Sequence, residues 1–176
     1  MVLPDVLAPG LRVVFCGTAA SAVSARAGAY YANPQNKFWT MLHLIGLTPR
    51  LLQPAEFREL PTWGIGLTDV AKTASGMDRE IAPHHYDAAR LVAAITRFAP
   101  GVLAFTSRRA AAAALGLRST SGLRYGLHDD LRVGTTRICV LPSPSGAAVR
   151  WWDVEPWREL ARALPPHQLR GCEAPR

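Results

Sequence analysis

Four short apolar runs recur along the chain: LRVVFC at 11–16, GIGLTDV at 64–70, GVLAF at 101–105 and RICVL at 137–141. Each has the length and the β-branched or aromatic content of a buried strand. Helical patterns separate them. Phe38, Trp39, Leu42 and Ile45 fall at helical spacing, with Asn33 or Asn36 as a cap and Gly46 as a stop. A short helix follows Pro54, and the amphipathic stretch from Pro83 to Phe98 opens on a proline suited to a first helical turn. Thr106 or Ser107 can cap an alanine-rich helix from Arg108 to Leu115, and a last helix spans Val154 to Leu164. Strands alternating with helices predict an α/β fold, a three-layer α/β/α arrangement around a central, mostly parallel sheet. Ligands of such sheets bind beyond the carboxyl ends of the strands, so the loops after Cys16, Leu67, Phe105 and Leu141 should meet at one edge.

At 176 residues the chain fits a single domain, 1–176, with its compact core expected over about 11–164 and a disordered tail at 165–176. Hydrophobic residues make up 49% of it, yet no run reaches the roughly 18 apolar positions of a membrane helix. The N-terminus also lacks a basic stretch ahead of an apolar one. A cytoplasmic protein with no membrane partner, acting as a monomer, is the expectation. Cys16, Cys139 and Cys172 are odd in number and lack metal-ligand spacing, and the five histidines have no acidic partners at fixed spacing. Neither a metal nor another cofactor is expected.

Charge points to a partner. The net charge is +7, and every basic residue except Lys37 and Lys72 is arginine. A polyanion suits such a surface. Biased composition of the source genome would raise arginine over lysine, but it explains the ratio better than the excess of positive charge.

Two of the edge loops are unusual. The first, GTAASAVSARAGAYYANPQNKFW at 17–39, is small, aromatic and polar; the second, PSPSGAA at 142–148, is stiff and rich in hydroxyls. Together with GIGLTDV, and with YGLHDDLRVGTTRICVLPSPSG at 125–146, they carry a resemblance. The chain resembles the mismatch-specific uracil-DNA glycosylases, bacterial relatives of thymine-DNA glycosylase within the uracil-DNA glycosylase superfamily. That family shows a strand, GINPG, a small-residue loop, an aromatic and HPxNRFW, then GVTxLV, and finally VLPNPSG. The likeness extends over most of the region from Leu11 to about Leu164.

The resemblance implies an enzyme that flips uracil out of mismatched double-stranded DNA and hydrolyses its N-glycosidic bond. It leaves an abasic site for base excision repair, and its setting would be nucleoid-associated. By position, Tyr31 would stack on the extruded base, while Gly17, Thr18 and Ser24 would line its pocket; an ordinary loop hydroxyl is an equal reading of Ser24. Tyr30 reads as packing or surface, and Phe38 and Trp39 as core. The DNA backbone would be gripped by Ser143, Pro144, Ser145, Gly146, Ala147, Ala148 and Arg150, with Lys37, Arg108 and Arg109 as further candidates.

The departures are as informative. Ala19 stands where the family has the asparagine that positions water, Ala20 and Ser21 replace the following proline and glycine, and Ser143 replaces an asparagine. Ala147 stands where a bulky side chain fills the gap left by the base. Expelling an anionic base from a cation-like sugar requires negative charge near the sugar and a supply of water. Asp69, in GIGLTDV, could supply both in place of the missing asparagine; its other reading is a cap on a following turn. The alternative function is a relative that binds lesions or abasic sites without cleaving them. An unrelated hydrolase is disfavoured, because no nucleophile elbow occurs and Ser143 and Ser145 have no evident partners.

Overall fold

The computed structural model describes residues 2–166. Strand β1, Val13–Ala20, leads into helix α1, Ala22–Ala27, and helix α2, Phe38–Leu44. A 3-10 stretch, Pro54–Trp63, precedes β2, Ile65–Ser75. Helix α3 spans Ala88–Phe98, β3 Val102–Phe105 and α4 Arg108–Leu115. A hairpin of β4, Gly126–Val133, and β5, Thr136–Val140, is followed by α5, Glu155–Ala163. The five strands form one sheet in the order β2-β1-β3-β5-β4, parallel except for β4.

Alternation along β1 divides the interior into two layers. Val13 and Phe15 face one cluster with Phe38 and Trp157, and Val14 and Cys16 face the other with Leu91, Ile95 and the α4 alanines. In the first layer, Phe38 meets Phe15 edge-on at 5.3 Å, and Phe15 stacks on Trp157 at 5.8 Å. Each of these fully buried rings contributes about 1.5–3 kcal/mol of burial. The trio fastens α2 and α5 to the same face of the sheet.

The α/β expectation holds, with differences of detail. Gly17 does not end the first strand: β1 runs on to Ala20, and β2 runs beyond Val70 to Ser75, since each continues the other's ladder. Pro83 opens only a 3-10 turn, Pro83–His85. Tyr86 then bridges to Ala71, and α3 begins after Asp87, whose carboxylate accepts from the Arg90 N–H at 2.9 Å. Strand β4 has no counterpart among the predicted elements: it is a polar edge strand, and its register breaks between His128 and Arg132, which removes the alternation that would announce it. Of the disordered tail expected at 165–176, residues 167–176 lie outside those described.

Candidate active site

The chain passes from β1 to one side of the sheet and then crosses to the other with β3, so the carboxyl ends of these neighbours open a crevice. A cleft of about 590 Å³ lies there. Its lining includes the end of β1 from Gly17 to Ala20, then Ser21, Ser24, Tyr31, Asp69, Thr106 and Ser107, and the loop Ser143–Ala148.

Asp69 projects from the middle of β2 on the face shared with Leu67 and is 3% exposed. It caps no helix, because the strand continues past it. Its register partner is Gly17, and the missing side chain there is what admits the carboxylate: Oδ1 stands 2.6 Å from where a β-carbon on Gly17 would be. Burial pushes the Asp69 carboxyl up to about 6; Lys72 opposes the rise, Asp5 adds to it and Arg90 opposes it. Near neutrality the group is ionised and still basic.

Tyr31 adopts a left-handed backbone conformation, φ 52°, rare for an aromatic residue and costly by about 1–3 kcal/mol. Its ring stacks on Phe38 at a centroid distance of 3.9 Å and 21° between planes. The hydroxyl lies 3.4 Å from that of Thr106, and burial, followed by the Asp69 charge, keeps the phenol protonated. Phe38 is therefore core on one side and the backing of the Tyr31 ring on the other.

Ser24 is buried in α1. Its hydroxyl oxygen accepts from the Ala32 N–H at 3.1 Å and from the Ser21 hydroxyl at 3.0 Å, tying α1 to the chain just after Tyr31. The Thr18 hydroxyl is 3.4 Å from that of Ser107.

The Pro-Ser loop is built as a rigid rim. The Ser145 and Ala147 N–H groups donate to the Ser143 and Ser145 hydroxyl oxygens, so these amides are taken up inside the loop. Pro144 accepts from the Lys37 N–H at 2.8 Å, and Pro142 accepts from the Trp157 indole at 3.2 Å. Gly146 is required by close approach, since a β-carbon there would be 2.8 Å from Gln35 Cβ. Within the lining Ala147 is exposed and Ala148 half-buried, and Arg150, exposed two residues further on, is not part of the lining. Lys37 lies outside the cleft, its ammonium 4.4 Å above the Trp152 ring. Arg108 lies over Tyr125, and the Arg109 Nε donates to the Tyr86 hydroxyl at 3.1 Å. Among the described residues no His, Cys, Asp and Glu cluster could hold a metal ion, and no helix is long and apolar enough to cross a membrane.

The family model of the uracil DNA glycosylase superfamily matches residues 4–163. The chain belongs to that superfamily. The fold is also similar to the solution NMR structure of a candidate uracil DNA glycosylase from Methanosarcina acetivorans, at 24% identity and a TM-score of 0.59, covering 92% of this chain and 93% of that one. In this member of the uracil-DNA glycosylase superfamily Ala19 lines the cleft near the end of β1, and its methyl group can neither orient nor activate water.

Two parts of this glycosylase site had no sequence signal. The segment Gly76–Arg79 forms part of the cleft wall, pinned where the Gly76 N–H donates to the Ala20 carbonyl at 2.9 Å. Beneath Asp69 lies a charged group, Asp5, Lys72 and Arg90, drawn from three separate parts of the chain.

Proposed function

We propose that the protein is a monofunctional DNA glycosylase of the mismatch-specific branch, excising uracil from double-stranded DNA with Asp69 doing the work of the absent asparagine. The observation that carries this is the Asp69 carboxylate itself, buried against Gly17 on the cleft lining beside Tyr31. The rigid Ser143–Ala148 rim and the net charge of +7 suit a polyanionic backbone crossing the cleft mouth.

The extruded base enters the cleft and stacks on Tyr31. Flipping costs a few kcal/mol, least at a mismatch, and the stack offsets part of it. As the C1′–N bond breaks, its electron pair leaves with the base as an anion and C1′ gains cationic character. The ionised Asp69 stabilises that cation and takes a proton from the attacking water. The hydroxide oxygen bonds to C1′, leaving an abasic sugar, and the base is protonated on release. At about 6, the Asp69 carboxyl is ionised at neutral pH yet a stronger base than an ordinary aspartate.

Single-turnover cleavage of duplexes carrying U:G, U:A and T:G, and of single-stranded uracil, tests the reading. Wild-type cleavage of uracil that Asp69→Asn loses, with duplex binding kept, supports it. Equal cleavage by Asp69→Asn excludes Asp69 from the chemistry. Ala19 and Ala147 favour a second reading, a lesion binder without chemistry, and tight binding with no cleavage by the wild type would establish it.

A further inference from the structure

Lys72 is buried at 5% exposure, an expensive place for an ammonium unless charges and hydrogen bonds compensate it. Its position depends on a break in the sheet. Residues three apart on a regular strand face opposite ways, but the register of β2 against β1 shifts just after the Ala19–Ala71 pair, and Lys72 reaches back beside Asp69. Its short contacts lie elsewhere. Nζ is 3.0 Å from Asp5 Oδ1 and donates to the Tyr30 hydroxyl at 2.8 Å, whereas Asp69 Oδ2 is 3.7 Å away.

The surrounding bonds hold that geometry. The Tyr30 hydroxyl in turn donates to the Pro4 carbonyl at 3.1 Å. Asp5 Oδ1 also accepts from the Thr68 hydroxyl at 2.7 Å, and Asp5 Oδ2 pairs with Arg90 Nη1 at 2.7 Å. Arg90 Nη2 closes the circuit by donating to the Asp69 main-chain carbonyl at 2.6 Å. The N-terminal segment that brings Asp5 is fixed by main-chain bonds to β2, Val2 N–H to the Lys72 carbonyl and Val6 N–H to the Leu67 carbonyl, each 2.8 Å.

We propose that Lys72 is a positioning residue for Asp69, clamped by Asp5 and Tyr30 at a distance that keeps the Asp69 carboxylate ionised without locking it in a close ion pair. The inference rests on the reading of Asp69 as the reacting carboxylate. A direct, hydrogen-bonded ammonium would quench the carboxylate's basicity; no ammonium at all would leave a buried carboxyl protonated near neutrality. Asp5, the nearer of the two carboxylates to Lys72 at 3.0 Å, prevents the first outcome together with the Tyr30 hydroxyl, while the charge of Lys72 prevents the second.

The groups facing Asp69 come from every element packed on it: Lys72 from β2, Asp5 from the N-terminal segment, Arg90 from α3, Tyr30 and Tyr31 from the loop before α2, and Cys16 from β1. The two phenols and the thiol are pushed up by burial, with Asp69 adding to the rise, so they remain neutral while Asp69 titrates. Lys72 and Asp5 act on Asp69 with opposite sign.

The test is the pH dependence of single-turnover cleavage of a uracil-containing duplex, in Lys72→Met and in Asp5→Asn, with affinity for a duplex carrying a tetrahydrofuran abasic analogue measured alongside. Lys72→Met should move the acidic limb of the profile up by about one pH unit or more. Asp5→Asn, which is isosteric and guards against a Lys72 variant that does not fold, should move it down. Binding of the analogue should change little in either. A uniform fall in rate with the acidic limb unmoved, or a shift of that limb in the same direction in both variants, overturns the inference while leaving Asp69 in place. Failure of the underlying reading is separate: the wild type then shows no cleavage, or Asp69→Asn retains the wild-type limb, and this inference falls with it.

Discussion

Asp69 and Gly17 share one space: the carboxylate oxygen Oδ1 stands 2.6 Å from the point that a β-carbon on residue 17 would occupy. Gly17 does not have a positive φ, so alanine fits its backbone and only the space is lacking. Gly17→Ala should displace the carboxylate and lower the single-turnover rate on a U:G duplex by about 100-fold, the scale of a misplaced catalytic group. The comparison that decides is with the thermal midpoint. A rate loss with a nearly unchanged midpoint shows displacement; a nearly wild-type rate shows that the carboxylate and its contact with residue 17 are dispensable.

A reacting carboxylate that ionises at about 6 fixes the acidic side of the rate profile. Below that pH the rate should fall about tenfold per pH unit, and above it the rate should level off. In Asp69→Asn the profile should be low and flat through the same range. A wild-type profile that bends near the ordinary carboxyl value would place the working base elsewhere.

The same group should penalise the fold as pH rises. The folded-state value is raised from the ordinary 3.8 to about 6, so between these values the native state holds a proton that the unfolded chain has released. Stability is then full below about pH 4, falls as pH rises through the window, and is lower above it by about 3 kcal/mol. Asp69→Asn should therefore be the more stable protein at pH 8, by a margin that shrinks as pH approaches 4. Denaturant unfolding at pH 4.5 and pH 8 measures both margins, and an asparagine variant less stable than the wild type at pH 8 contradicts the sign.

How far the site was legible depended on the kind of signal. Gly17, Thr18, Tyr31 and the Pro-Ser loop could be placed at one edge because strand-ending loops of a parallel sheet converge there, and a parallel sheet follows from the alternation of strands with helices. Asp69 stood out as a charge in an apolar run. Lys72 did not, because a regular strand turns residues three apart to opposite faces, and the register shift that undoes this leaves no mark in local composition. Asp5 lies in a segment whose pairing with β2 is made by main-chain groups, which carry no residue signature. Strand β4 escaped for a related reason, its polar edge residues and broken register resembling a loop.

Tyr31 is backed by Phe38 and touches Thr106 only through a long hydroxyl contact of 3.4 Å, so its ring should matter more than its hydroxyl. Tyr31→Phe should stay within a few-fold of the wild-type rate. Tyr31→Ala should lose about 10- to 100-fold, matching a base stack of about 1–3 kcal/mol. If the phenylalanine variant falls as far as the alanine variant, the hydroxyl rather than the ring serves the base.

Ala147 is exposed on a rim whose neighbouring amides are already capped, so a larger side chain there meets solvent rather than core. In a duplex, flipping leaves an apolar gap between base pairs, and filling it offsets part of the unstacking cost. Leucine adds three carbons, about 2 kcal/mol if they become fully buried in that gap. Single-stranded uracil offers no such gap. Ala147→Leu should therefore raise the rate on uracil in duplex DNA several-fold while leaving single-stranded uracil unchanged, narrowing any preference for single strands. Single-turnover rates on the two substrates make the comparison. An equal change on both would mean that residue 147 acts on the bound base or on the loop rather than on the gap, and no change on either would place it outside the DNA path.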